Sequence, residues 1–212
     1  RLSLEQDGED TVDYSTVAPR QAGDDGLEIV IGTVVQPWAY GTSTEATNDS
    51  ATAIYVSDKL ATGNTSIGDD TLISIETVKA TNADDTLVLD LLAGNGTQFA
   101  GRDGKGGLAR VDLLGNATGA GKGDLIDASA NPADLTIRLV RTGDNDFNVY
   151  DTSDDSKALA VIGAERAWGG AGDDTITGDD NANELKGGGG TNILIGGKGA
   201  DSFVGVEGSN TV

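Results

Sequence analysis

The residue best placed to do chemistry in this chain is aspartate, and it recurs in pairs. Asp24-Asp25, Asp69-Asp70, Asp84-Asp85, Asp173-Asp174 and Asp179-Asp180 all sit close to Gly or Asn. A short carboxylate in a tight turn can reach a cation that backbone carbonyls of the same turn also hold. An all-oxygen ligand set suits a hard ion, and calcium accepts about six to eight oxygens in loose geometry. The same residues are ordinary turn formers. The pairs alone therefore leave both readings open.

Composition removes most other chemistry. The 212 residues contain no His, no Cys and no Met. A Ser-His-Asp triad, a Cys nucleophile, a His-ligated zinc site and a disulfide are all excluded. Lys and Arg number 14 against 35 acids (27 Asp, 8 Glu), for a net charge of −21. That charge opposes nucleic acid and anionic membranes as partners. The apolar runs are far shorter than the roughly 20 residues that span a bilayer, so no membrane insertion is expected. No signal peptide is visible, and a chain without Met that starts at Arg1 is expected to be a piece of something longer. Two carboxylates could in principle cleave a glycosidic bond. With 35 acids the sequence selects no such pair, and catalysis is not expected.

The elements that must position the acids are short strands. Hydrophobic residues make up 37% of the chain and recur in β-type runs such as 27–35 and 86–92, which argues against disorder. From Gly169 the chain falls into nine-residue blocks: GGAGDDTIT, GDDNANELK, GGGGTNILI, GGKGADSFV and a partial GVEGSNTV. Each block opens with Gly. Position six holds Asp174, Asn183, Asn192, Asp201 and Asn210; position eight holds Ile176, Leu185, Leu194, Phe203 and Val212. Each block reads as a six-residue turn and a three-residue strand whose middle side chain faces inward. Two blocks complete one coil, so turns two blocks apart stack at about 4.8 Å. One inward side chain per nine residues is a sparse core to set against the entropy of ordering the chain.

These blocks resemble the glycine-rich nonapeptide G-G-x-G-x-D-x-U-x of the repeats-in-toxin (RTX) family. The resemblance is specific over 169–212. It extends more weakly to ATNADDTLV (80–88), with Asp85 at six and Leu87 at eight, and to GDDTLISIETV (68–78). It implies an all-β fold: a parallel β-roll or β-solenoid with calcium-binding glycine-rich turns and irregular β excursions. It also implies calcium ions between turns two blocks apart, held by position-six side chains and by turn carbonyls at Gly170, Gly172, Gly188, Gly190, Gly197 and Gly199. Asp174 and Asn192 would flank one site, Asn183 and Asp201 the next, and Asn192 and Asn210 a third. Asp85 and Asp70 are further implied ligands. Asn at three of five position-six places departs from the pattern and predicts weak binding, near the ~0.1–1 mM range of extracellular modules.

Longer-range similarity suggests an imperfect duplication. DTVDYS (10–15) resembles DLIDAS (124–129), and 75–87 aligns with 164–176. The expected units are 1–118, a degenerate repeat with a long insertion, and 119–212, ending in a nonapeptide roll over about 160–212. The excursions lie near 16–66 and 130–160. Trp168 is expected to cover the end of the core, and Trp38 and Tyr40 to share one face of an extended segment.

The family resemblance implies a calcium-binding structural segment of a secreted or cell-surface bacterial protein of adhesin, surface-layer or matrix type. It implies type I export followed by calcium-driven folding outside the cell. Cell-surface polysaccharide and neighbouring copies are the expected partners besides calcium. The alternative is an accessory module of a secreted protease, lipase or alginate epimerase with its catalytic domain elsewhere.

Overall fold

The structure is a computed structural model that describes residues 11–15, 25–32, 53–58, 70–72, 77–81, 83–90, 110–114, 123–140, 148–204 and 208–211. The described residues form strands and turns and contain no helix. The strands are β1 (Thr11–Asp13), β2 (Asp25–Gly32), β3 (Ala53–Asp58), β4 (Asp70–Leu72), β5 (Thr77–Lys79), β6 (Asp84–Asp90), β7 (Arg110–Asp112), β8 (Asp124–Asp127) and β9 (Leu135–Arg138). They continue as β10 (Val149–Asp151), β11 (Asp154–Ile162), β12 (Ala164–Trp168), β13 (Thr175–Thr177), β14 (Glu184–Lys186), β15 (Thr191–Ile195), β16 (Ser202–Val204) and β17 (Ser209–Thr211).

Two sheets take these strands almost alternately. One has the order β1-β5-β7-β11-β10-β9-β13-β15-β17, the other β16-β14-β12-β8-β6-β2-β3-β4. A chain that crosses to the opposite sheet before returning arrives parallel to its earlier strand. Ile176 accordingly pairs with Leu194 in parallel register, and Leu185 with Phe203, each a spacing of two blocks. Where the chain reverses within one sheet, the pairing is antiparallel. That is the form the described parts of both excursions take: β3 lies between β2 and β4, and β10 between β9 and β11. β6 pairs in parallel with β8, and β7 with β11.

Position eight is an inward column. In one sheet Ile29, Leu87, Ile126, Ala167, Leu185 and Phe203 are successive partners; in the other Ile137, Ile176 and Leu194 are. Most of these belong to one core cluster drawn from both sheets. Phe203 departs from the expectation and is 38% exposed. Its strand, β16, is at the sheet edge and is covered on one side only.

Trp168 does not cover the end of the core. Ala167 takes the inward slot of β12, so its neighbour Trp168 projects to the outer face by the alternation of a strand. There its Nε1 donates to Glu184 Oε1 at 3.2 Å, and Lys186 Nζ lies 4.9 Å from the ring centroid. Trp38 and Tyr40 lie outside the described residues.

Candidate metal centre

Asp85, Asp124, Asp174, Asn183 and Asn192 are buried and Glu165 and Asp201 half-buried, and these position-six side chains form ladders along the two rows of turns. In one row the Leu135 amide donates to Asp174 Oδ1 at 2.8 Å, and the Asp174 amide donates to Asn192 Oδ1 at 2.8 Å. In the other row the Leu27 amide donates to Asp85 Oδ1 at 2.6 Å, and the Asp85 amide to Asp124 Oδ1 at 2.8 Å. That row continues with the Asp124 amide donating to Glu165 Oε2 at 2.8 Å and the Asn183 amide to Asp201 Oδ1 at 3.0 Å. Each link needs an acceptor oxygen and no charge. This is why Asn serves at 192 as well as Asp does elsewhere, while Asn183 Oδ1 accepts from the Asp179 amide of its own turn at 2.8 Å.

The glycines are there because the turns touch. A Cβ on Gly188 or Gly190 would come closer than 3.0 Å to the carbonyl oxygen of Gly170 or Gly172. One on Gly197 or Gly199 would meet the carbonyls of Asp179 or Asn181 in the same way. All four glycines also have positive φ, between 68° and 106°. Stacked turns are joined directly, the Gly189 amide donating to the Gly170 carbonyl at 2.8 Å and the Lys198 amide to the Asp179 carbonyl at 3.2 Å.

Asp174 and Asn192 are therefore brought together, and so are Asn183 and Asp201. Asp85 occupies the same kind of place in the second row, where it also accepts from the Thr81 amide at 3.0 Å. Asp70 opens β4, which lies beyond β3 at the far edge of its sheet. The side chain of Asp70 lies outside the description. The side chain of Asn210 lies outside the description.

Several ladder members are not evident in the sequence. Asp124, Glu165, Leu27 and Leu135 occupy position-six places, shown by the pairing of Ile126, Ala167, Ile29 and Ile137 at position eight. Insertions separate them from their partners by 39, 41 or 58 residues, so no nine-residue period survives. The remaining signal is local: GAGKGDLID (119–127) keeps Asp at six and Ile at eight, with its glycines displaced.

Electrostatics favours a cation at these ladders. Burial raises Asp174 to about 6, against the amides of Leu135 and Gly170, and the charges of Asp134 and Asp173 add to the rise. Burial also raises Glu165. Asp124, fully buried, is pushed up to about 8, by burial first and then by the charges of Asp85, Glu165 and Asp84. Its Oδ2 has no hydrogen-bond partner among the described residues. No three carboxylates converge among the described residues. An ion here would draw most of its ligands from turn carbonyls and one or two from carboxylates, a donor set that fits calcium.

The RTX calcium-binding nonapeptide repeat family matches residues 160–193 and 177–212, with four copies of the repeat. Residues 160–212 are RTX calcium-binding repeats. The match begins at residue 160, so it takes in the Glu165 rung ahead of the first glycine-rich block. No curated protein and no solved structure matches the chain. RTX repeats bind calcium ions, and residues 160–212 match those repeats.

A pH test follows for the second row. The folded state holds Asp124 protonated up to about pH 8, whereas the unfolded chain releases that proton near 3.8. Between those values the folded state binds more protons, so Asp124 costs more stability as pH rises. Asp124→Asn keeps the acceptor for the Asp85 amide and cannot ionise. At a fixed calcium concentration below saturation, its thermal midpoint relative to the native chain is expected to rise between pH 5 and pH 8. A flat difference across that range would contradict the assignment.

Proposed function

We propose that this chain is a non-catalytic, calcium-stiffened structural segment of a secreted or cell-surface bacterial protein, of adhesin, surface-layer or matrix type. In this reading the two sheets wind as a parallel β-roll, folded by calcium outside the cell. One observation carries it: the buried Asp174 carboxylate lies between stacked turns and is met by amides rather than by a cationic side chain among the described residues. A segment built this way is stable only where calcium is plentiful. The charge of −21 supports the same reading, because it keeps the metal-free chain soluble and extended. The described residues contain no helix long and apolar enough to cross a membrane. Cell-surface polysaccharide and neighbouring copies of the chain are the partners that suit such a rod.

Two measurements test the proposal. Equilibrium dialysis of the full chain is expected to give saturable calcium binding near ~0.1–1 mM, with magnesium a poor substitute because it demands tighter octahedral geometry. Absence of binding at millimolar calcium would defeat the reading. The coding sequence on either side is the second test. A catalytic domain directly adjacent would make this an accessory module of a secreted enzyme.

A further inference from the structure

The turn at 128–134 contains no glycine and lies outside the matched repeats, yet it stacks beneath the turn at 169–174 as the glycine-rich turns stack on one another. The correspondence holds position by position. The Ala171 amide donates to the Asn131 carbonyl at 2.8 Å, as the Gly189 amide does to the Gly170 carbonyl. The Asp173 amide donates to Asp134 Oδ1 at 2.7 Å, as the Thr191 amide does to Asp173 Oδ1 at 2.6 Å. Asp174 Oδ1 accepts from Leu135 as Asn192 Oδ1 accepts from Asp174, both at 2.8 Å. Gly170 and Gly172 press against the carbonyls of Asn131 and Ala133, as Gly188 and Gly190 press against those of Gly170 and Gly172.

Two differences set this pair of turns apart. Its position-five and position-six places hold Asp134 and Leu135 in the lower turn and Asp173 and Asp174 in the upper, whereas those of the next pair hold Asp173 and Asp174 below Thr191 and Asn192. Both turns thus contribute a carboxylate at position five, where in the next pair only the lower one does. In addition, Asn131 is fully buried, and its Nδ2 has no hydrogen-bond partner among the described residues. The turn's own bonds leave that donor for an oxygen they do not supply, such as a water on a bound ion.

We infer that turns 128–134 and 169–174 form a calcium site of their own, with Asp134, Asp174 and the carbonyls of Asn131 and Ala133 as ligands. The site rests on the calcium-binding reading of the repeats and extends it upstream, beyond the matched residues. Half of the site comes from a segment with none of the repeat's glycines. The consequence is that β9, which follows the lower turn directly, becomes part of the calcium-dependent unit. The excursion is then clamped to the repeats by the ion and does not hang from them.

The test compares the native chain with Asp134→Asn and, as a control for charge alone, Asp13→Asn. Asp13 is exposed at the end of β1 and lies 3.6 Å from Lys79 Nζ, outside the stacked turns. Asn at 134 still accepts from the Asp173 amide, so the stack is kept while the charge is lost. Calcium isotherms by equilibrium dialysis are expected to show Asp134→Asn binding one ion fewer, or binding one ion about ten-fold more weakly, because ligand charge sets affinity. Asp13→Asn should match the native chain. Hydrogen exchange supplies the second readout: calcium should protect β9 in the native chain but not in Asp134→Asn, while β14 gains protection in both. If the native chain binds calcium and Asp134→Asn has the same isotherm and the same β9 protection, this site is overturned and the repeats' role stands. If the native chain binds no calcium, both fail together.

Discussion

Chelating calcium from the intact chain is expected to abolish hydrogen-exchange protection in β13 to β17 and to shift the far-ultraviolet circular dichroism towards unfolded chain. The reason lies in what each rung contributes. Ile176, Leu185 and Leu194 are the fully inward side chains of three consecutive blocks, one for every nine residues. Burying each contributes about 1.5–3 kcal/mol. Ordering the backbone of a single residue costs roughly 1–2 kcal/mol. So small an apolar return leaves the rungs marginal, and the charges of Asp134 and Asp173 around the buried Asp174 oppose them further. An ion between the turns replaces that repulsion with attraction. At calcium ten times its dissociation constant, each site stabilises the folded state by about 1.4 kcal/mol. Several sites in one stack therefore separate folded from unfolded. Returning millimolar calcium should restore the spectrum. Full protection of β13 to β17 under chelation would mean that the turns hold themselves, and the functional reading would go with it.

A single methyl group should separate two adjacent glycines. Gly188→Ala is expected to raise the calcium concentration needed for half-maximal folding by at least about ten-fold, a loss of roughly 1.4 kcal/mol or more. Gly188 has φ +83°. An L-residue held there costs roughly 1–2 kcal/mol before any contact is counted. The new Cβ would also fall closer than 3.0 Å to the carbonyl oxygens of Gly170 and Gly169, and these belong to backbone that cannot swing aside. The stacked turns would have to part where the ion sits. Gly189→Ala is the comparison. Its Cβ would meet Ala171 Cα at 3.2 Å, and its φ is not positive. A shift of a few tenths of an ångström relieves it, and the expected cost is below about 1 kcal/mol. Titrating calcium against circular dichroism for both variants settles the matter. Equal midpoints would show that the turns are not in contact as described.

How much of this was legible beforehand depends on what each feature needs. The blocks from Gly169 onward could be read directly, because turn, ladder and strand repeat at a constant interval and each column has its own chemistry. Glycine stands where turns touch, Asp or Asn where an amide needs an oxygen, and an apolar residue where the strand faces inward. The absence of His and Cys narrowed the metal to one that oxygen alone can hold.

Other features depended on partners distant in the chain. Leu135 and Asp174 are 39 residues apart, and Asp124 and Glu165 are 41. The intervening antiparallel strands erase the period, so only the stacking assigns these residues to one ladder. Asn183 and Asn192 seemed deficient as isolated ligands, yet as acceptors for a neighbouring amide they are equivalent to Asp. Trp168 was drawn outward because Ala167 holds the inward slot, and that slot is defined by pairing with Ile126 and Leu185. Local sequence thus determined the repeating turn and its ion chemistry, since those act within nine residues. Which turn sits on which was decided by the tertiary structure, because register between rungs is set by backbone contacts across the stack and not by any residue within a single rung.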